Sequence, residues 1–188
     1  MGRPRIHSEQ SILAAARRVF IAEGADVDTR RIAGAAGVSQ SLLFQRYGAK
    51  QALFFAAMLP EPPSLADLVG SAGETLCDDL SAMLLKLCDW LDGSLPGAVR
   101  AAVHPGFPDL IARSHATDRP QEITTVLGQA ISDLIVRHGS KVSCSPEGLG
   151  EIMVELAHGR SLMRLVGGVG NPNDDWAKRR ITQLLSLP

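Results

Sequence analysis

From Ser8 onward the apolar positions fall three and four residues apart. Ile12, Leu13, Ala16, Val19 and Phe20 form one stripe, and Gly24 ends it. That is the helical period, and Ser8 stands where a side-chain oxygen can cap the first turn. Thr29, as candidate cap, opens a shorter pattern through Ile32, Ala33 and Ala36, which Gly37 breaks. Ser39 is placed to cap a third helix running to about Tyr47. Gly48 closes it, and a fourth starts near Lys50 with Ala52, Leu53, Phe54 and Met58. Pro60, Pro62 and Pro63 then stop the pattern, because proline removes a donor and clashes with the preceding turn.

Beyond the prolines the periods lengthen. Cys77, Leu80, Leu84, Leu87, Cys88 and Leu91 make one stripe, interrupted by Gly93, Pro96 and Gly97. The interruption predicts a separate short helix over 97–103, and another is expected from Asp109 to His115. Pro120 suits the first position of a long helix through Ile123, Leu127, Ala130, Ile131 and Leu134, closed by Gly139. Ser145, Pro146 and Glu147 start the next, with Ile152, Leu156, Gly159, Met163 and Val166 on one face. Asn173 opens the last. The reading is about nine or ten helices, no repeat, and an all-α fold.

Composition supports that class. Of 188 residues 45% are hydrophobic and only 4% aromatic, and Val, Ile and Thr never alternate over a long run. The net charge of −1 hides an asymmetry. Residues 1–50 hold eight Lys/Arg against four Asp/Glu, and the remainder eleven against sixteen. A basic head on an acidic body points to a polyanion at the N-terminal end. The three cysteines, Cys77, Cys88 and Cys144, are too few and scattered for a disulfide framework or zinc site. Cys88 shares the Leu84/Leu91 stripe and reads as buried, whereas Cys144 is the better candidate for an oxidant-sensitive thiol. No apolar run approaches a membrane span, and the first ten residues lack the apolar core of a signal peptide, so a cytoplasmic location is expected.

The chemistry sits in residues 29–47: a short helix, a turn at Ala36-Gly37-Val38, and a second short helix. This is the spacing of a helix-turn-helix. Gly37 would supply the left-handed backbone of the turn. Leu43 and Tyr47 would hold the second helix to the first, leaving Gln40, Ser41, Leu42, Gln45 and Arg46 on or near its other side. Gln and Arg can bond base edges bidentately in a major groove. Thr29 and Lys50 start the flanking helices, where free N–H groups favour phosphate. Arg3 and Arg5, in a short basic arm, could reach a minor groove or the backbone.

The residues Phe20-x-x-x-Gly24, Thr29-x-x-Ile32-Ala33, Ala36-Gly37-Val38-Ser39, Leu43-Phe44, Tyr47 and Lys50-x-x-Leu53-Phe54 resemble the N-terminal domain of the TetR (tetracycline repressor) family of bacterial regulators. The resemblance covers residues 8 to about 56 and implies a homodimer offering two recognition helices to a near-palindromic DNA operator. It implies phosphate contacts at Thr29 and Lys50 and groove contacts at Gln40, Ser41, Gln45 and Arg46, and Tyr47 is counted with them among the DNA-binding candidates. The chain departs from the family at three places. Phe44 stands where Tyr is usual and lacks its phosphate-binding hydroxyl. Leu42 puts an apolar side chain near DNA. Ala25 replaces a frequent aromatic.

Residues 1–56 are therefore expected to form the DNA-binding domain and 57–188 an effector-binding and dimerisation domain. Residues 121–138 and 147–166 are the dimer candidates, with Gly128, Ile131, Ile152, Leu156, Gly159 and Met163 at the interface. Met83, Leu87, Trp90, His104, Phe107, Leu110, Ile123 and Leu127 are candidate lining for a pocket that suits a small apolar or amphipathic effector. Glu155-x-x-His158, with Glu151 a turn earlier, has no second copy to complete a di-iron site and reads as a polar patch. No nucleophile elbow, phosphate loop or metal-spaced His/Cys pair occurs, so neither a cofactor, a metal nor an enzyme is expected. The expected function is a ligand-responsive transcriptional regulator. The alternative is a sequence-tolerant architectural DNA-binding protein without an effector.

Overall fold

The computed structural model describes residues 8–59, 63–70, 73–109 and 119–186. Among them, nine helices are delimited: α1 Glu9–Glu23, α2 Thr29–Ala36, α3 Gln40–Tyr47, α4 Lys50–Met58, α5 Leu65–Leu68, α6 Leu76–Ala102, α7 Arg119–His138, α8 Pro146–Leu165 and α9 Asp174–Leu185. No strand occurs among the described residues, and the chain is all-α. It divides into two compact units. One takes α1–α4 and the chain from Pro96 to the end of α6 and just beyond, and the other takes the remaining helices.

The first unit is built on the predicted stripe. Ile12, Ala15, Ala16, Val19 and Phe20 of α1 are buried, and α1 packs on α2 and α4. Ser8 caps α1, its Oγ accepting from Ser11 N at 3.2 Å. The cap of α2 is Asp28, not Thr29: the Asp28 carboxylate accepts from Arg30 N at 2.8 Å. A carboxylate also suits the positive end of the helix dipole, while the Thr29 side chain is engaged elsewhere. Phe20 meets Phe54 edge to face with centroids 5.1 Å apart. His104 lies tilted over Phe54 and meets Phe55 edge to face, and Phe107 lies 6.2 Å from Phe55.

The predicted break in α6 does not occur. One helix runs 27 residues with Pro96 inside it. A proline within a helix costs about 3 kcal/mol through a lost hydrogen bond and a ring clash. Burial on both sides of it offsets that. Leu80, Leu84, Leu87, Cys88 and Leu91 lie in the core of the second unit, and Ala101 in the core of the first. Gly97 allows a close approach within the first unit, for a Cβ there would stand 2.7 Å from the Met58 carbonyl oxygen. The expected helix at 109–115 lies almost wholly outside the described residues.

In the second unit α7 packs along α8. A Cβ on Gly150 would stand 3.2 Å from Leu127 Cβ, so the two helices meet closely there. Leu127, Ile131 and Leu134 of α7, Met153 and Ala157 of α8, and Ala177 and Ile181 of α9 close the core over α6. Cys88 is fully buried, and that burial, with the charge of Asp89 and against those of Arg160 and Arg164, pushes its thiol up to about 11. Asp79 is buried beside His138, Oδ2 to Nε2 2.8 Å, and accepts from Gly73 N at 2.6 Å. Asp92 pairs with Arg164. His158 donates through Nδ1 to the carbonyl of Val154 on its own helix, 3.0 Å away.

Candidate DNA-binding site

The turn between α2 and α3 is set by Gly37, at φ 68° and ψ 26°. Its N–H donates to the carbonyls of Ala33 and Gly34, and Val38 N donates to Ala33 O at 3.0 Å. These bonds satisfy two of the last four carbonyls of α2 and turn the chain sharply, as a left-handed residue does after a helix. Ser39 restarts it, accepting from Leu42 N at 3.1 Å. Gly48, at φ 72°, ends α3 after two turns.

The result is a short helix held by one side. Leu43 is buried at 2% exposure, and Tyr47, a turn later, is half-buried against the same core. The opposite row, Ser41, Phe44 and Gln45, is exposed, with Arg46 beside it. Gln40 and Leu42 lie half-buried on the flanks. Phe44 is a large apolar side chain 44% exposed on this outward row. The sequence marked it only as a missing hydroxyl, and the residue's placement on the row follows from the register set by Leu43.

The starts of α2 and α4 are each tied to a neighbouring segment. Thr29, the first residue of α2, is buried, and its Oγ1 accepts from Gln40 Nε2 at 2.8 Å. Lys50, the first residue of α4, donates through Nζ to the Val27 carbonyl at 3.4 Å. Arg31 is engaged on the surface by Glu23, Nη2 to Oε1 2.8 Å, and that hydrogen bond and charge hold its guanidinium above the usual range. The Tyr47 hydroxyl is enclosed, with no hydrogen-bond partner among the described residues. Desolvation first, then the nearby Glu9, raises its pKa against the pull of Arg46. Arg3 and Arg5 lie outside the described residues.

The expected pocket residues are divided between the two units. Met83, Leu87, Ile123 and Leu127 are buried in the second unit's core with Trp90 packed against it. His104 and Phe107 belong to the first unit, against Phe54 and Phe55. Leu110 lies outside the described residues. Of the expected dimer residues, Gly128 and Ile131 are buried inside the chain's own second unit, where a Cβ on Gly128 would stand 3.2 Å from Glu147 Cγ. Ile152 and Leu156 are half-buried, and Gly159 and Met163 are exposed. Leu162, Leu165 and Val166 join Met163 as an exposed apolar end of α8. Among the described residues no helix is long and apolar enough to cross a membrane.

Residues 12–57 match the family model described as bacterial regulatory proteins, tetR family. The HTH-type transcriptional repressor AcnR of Corynebacterium efficiens is 30% identical over 139 residues, which cover 72% of this chain and 68% of that protein. Two solved structures share the fold. Salmonella enterica GusR superposes with a TM-score of 0.60 at 16% identity, covering 98% of both chains. A TetR-like transcriptional regulator from Rhodococcus sp. RHA1 superposes at 0.55 with 20% identity, covering 98% of this chain and 96% of that one.

Proposed function

The chain belongs to the tetR family of bacterial regulatory proteins, and from that premise we propose that it is a homodimeric repressor whose α3 reads a near-palindromic DNA operator. The observation that carries this reading is the outward row of α3. A two-turn helix, pinned by Leu43 and delimited by Gly37 and Gly48, offers Ser41, Phe44, Gln45 and Arg46 to a partner. Gln and Arg on such a row match the donor and acceptor pattern of base edges in a major groove. Thr29 and Lys50, at neighbouring helix starts, are suited to phosphates flanking that groove. The relative in Corynebacterium efficiens is itself named a repressor, which supports the direction of regulation.

Dimerisation would use the exposed apolar end of α8, Leu162, Met163, Leu165 and Val166, with Gly159 leaving room for a partner helix. Two recognition helices would then meet half-sites about one helical turn apart, roughly 34–36 Å or somewhat more. The second unit would take a small apolar or amphipathic effector near Met83, Leu87, Trp90, Ile123 and Leu127. The aliphatic character of that cluster supports such a ligand. Release from DNA requires that the effector bind the two states of the dimer with different affinity.

The test is selection of bound DNA from a random duplex pool, with full-length protein at stated salt. An enriched near-palindrome supports the reading. Salt-sensitive retention of every sequence alike moves the protein to the architectural class, where binding rests on phosphate alone.

A further inference from the structure

This inference rests on the regulator reading and concerns the role of Gln40. Gln40 opens α3 and Thr29 opens α2. Eleven residues separate them, yet Gln40 Nε2 donates to Thr29 Oγ1 at 2.8 Å. A threonine hydroxyl carries one proton and two lone pairs. With an amide N–H on one lone pair, the hydroxyl proton points away from Gln40 and is left for another acceptor. Thr29 keeps only 9% of its surface, so the side chain has little freedom to turn. The Lys50 ammonium is held close by on Val27 O, two residues before Thr29. A hydroxyl donor and a cation are thus gathered at the first turn of α2, where backbone N–H groups also favour an anion.

We propose that Gln40 is a positioning residue: it turns the Thr29 hydroxyl to donate to a DNA phosphate and does not itself read a base. The bond commits one of the two Gln40 amide protons and ties the side chain to the start of α2. Gln40 is also half-buried on the flank of α3, outside the exposed row of Ser41, Phe44 and Gln45.

The experiment measures equilibrium binding of full-length protein to the selected operator and to a scrambled duplex of equal composition. The proteins are wild type, Gln40→Ala, Thr29→Val, the double variant, Gln40→Glu and Thr29→Ser, each with its thermal unfolding midpoint. Gln40→Ala and Thr29→Val are each expected to weaken both duplexes by the same factor, about tenfold or more, the range of one charge-assisted hydrogen bond. The double variant is expected to bind like Thr29→Val alone. Gln40→Glu should lose more than Gln40→Ala, because a carboxylate takes the hydroxyl proton and repels phosphate. Repeated selection with Gln40→Ala should return the wild-type sequence preference.

Additive losses in the double variant overturn the proposal, and so does relaxed preference at one base pair in Gln40→Ala, which would make Gln40 a base reader. Thr29→Ser keeps the hydroxyl and is expected to bind like wild type. A loss there as large as that of Thr29→Val assigns the effect to packing and also overturns it. Wild type that binds no duplex sinks the regulator reading and this inference together, whereas additive losses on a specific duplex sink the inference alone.

Discussion

Gln45 and Arg46 are both exposed on α3, and each is expected to carry base discrimination. Gln45→Ala and Arg46→Ala should narrow the gap between operator and random DNA by about 1–3 kcal/mol each, if the contact is bidentate. Lys50→Ala should instead weaken all sequences alike and reduce the slope of log affinity against log salt by about one unit, read from a salt titration. Tyr47 offers a different kind of test. Its hydroxyl is enclosed without a partner among the described residues, so Tyr47→Phe should leave the fold as stable or make it more stable by about 1 kcal/mol, measured by denaturant unfolding. A clear loss of stability would show that the hydroxyl is satisfied in solution. The exposed residues of α3 were legible because burial there follows a single helical period from Leu43. The Gln40–Thr29 bond was not, since it depends on the angle between two helices.

Apart from the cap of α2, which is Asp28 and not Thr29, caps and turns were the most legible elements, for they are decided within four residues. Ser39, Ser145 and Asn173 each accept from the N–H three positions on, as their sequence places suggest. Gly37 carries the tightest turn, and Gly37→Ala should lower stability by about 1–2 kcal/mol, since a Cβ is disfavoured in the left-handed region. Helix α6 was misread because its continuity comes from burial distant in sequence, which outweighs the local effect of Pro96. Two glycines in it make a paired prediction. A Cβ at Gly93 would meet nothing within 4 Å, so Gly93→Ala should stabilise by about 0.5–1 kcal/mol. Gly97→Ala would press on the Met58 carbonyl and should cost about 1–3 kcal/mol. Equal unfolding midpoints for the two would show that the approach at Gly97 relaxes freely.

For the molecule as a whole, the assignment of helices to two units was less legible. The sequence groups His104 and Phe107 with Met83 and Leu127 as candidate lining, and in the fold the first two pack with Phe54 and Phe55. Nothing in a linear pattern links residues fifty apart. The buried Asp79 makes stability depend on acid. Burial alone would raise its pKa, but the His138 and Gly73 hydrogen bonds and the charges of His138 and Arg137 leave it below the usual value. A carboxylate depressed in the folded state stabilises above its unfolded pKa, near 4, and that contribution is lost as pH falls through the folded value. Unfolding from pH 6 down to pH 2 should therefore show an acid limb that Asp79→Asn flattens. At the proposed dimer face, Leu162→Asp with Val166→Asp should yield monomers in sedimentation and weaken operator binding. A dimer that persists would move the interface elsewhere.

The buried thiol of Cys88 gives this fold a built-in clock. A protonated sulfur buried in the core of the second unit cannot meet an alkylating reagent while the native packing holds. Labelling at that one residue, followed by mass spectrometry with no engineered probe, therefore advances only during excursions that bare α6. When reclosing outruns the chemistry, the labelling rate counts how often the second unit opens. Any compound that the unit grips should slow that count, so screening for slower labelling is a way to search for effectors without knowing the operator.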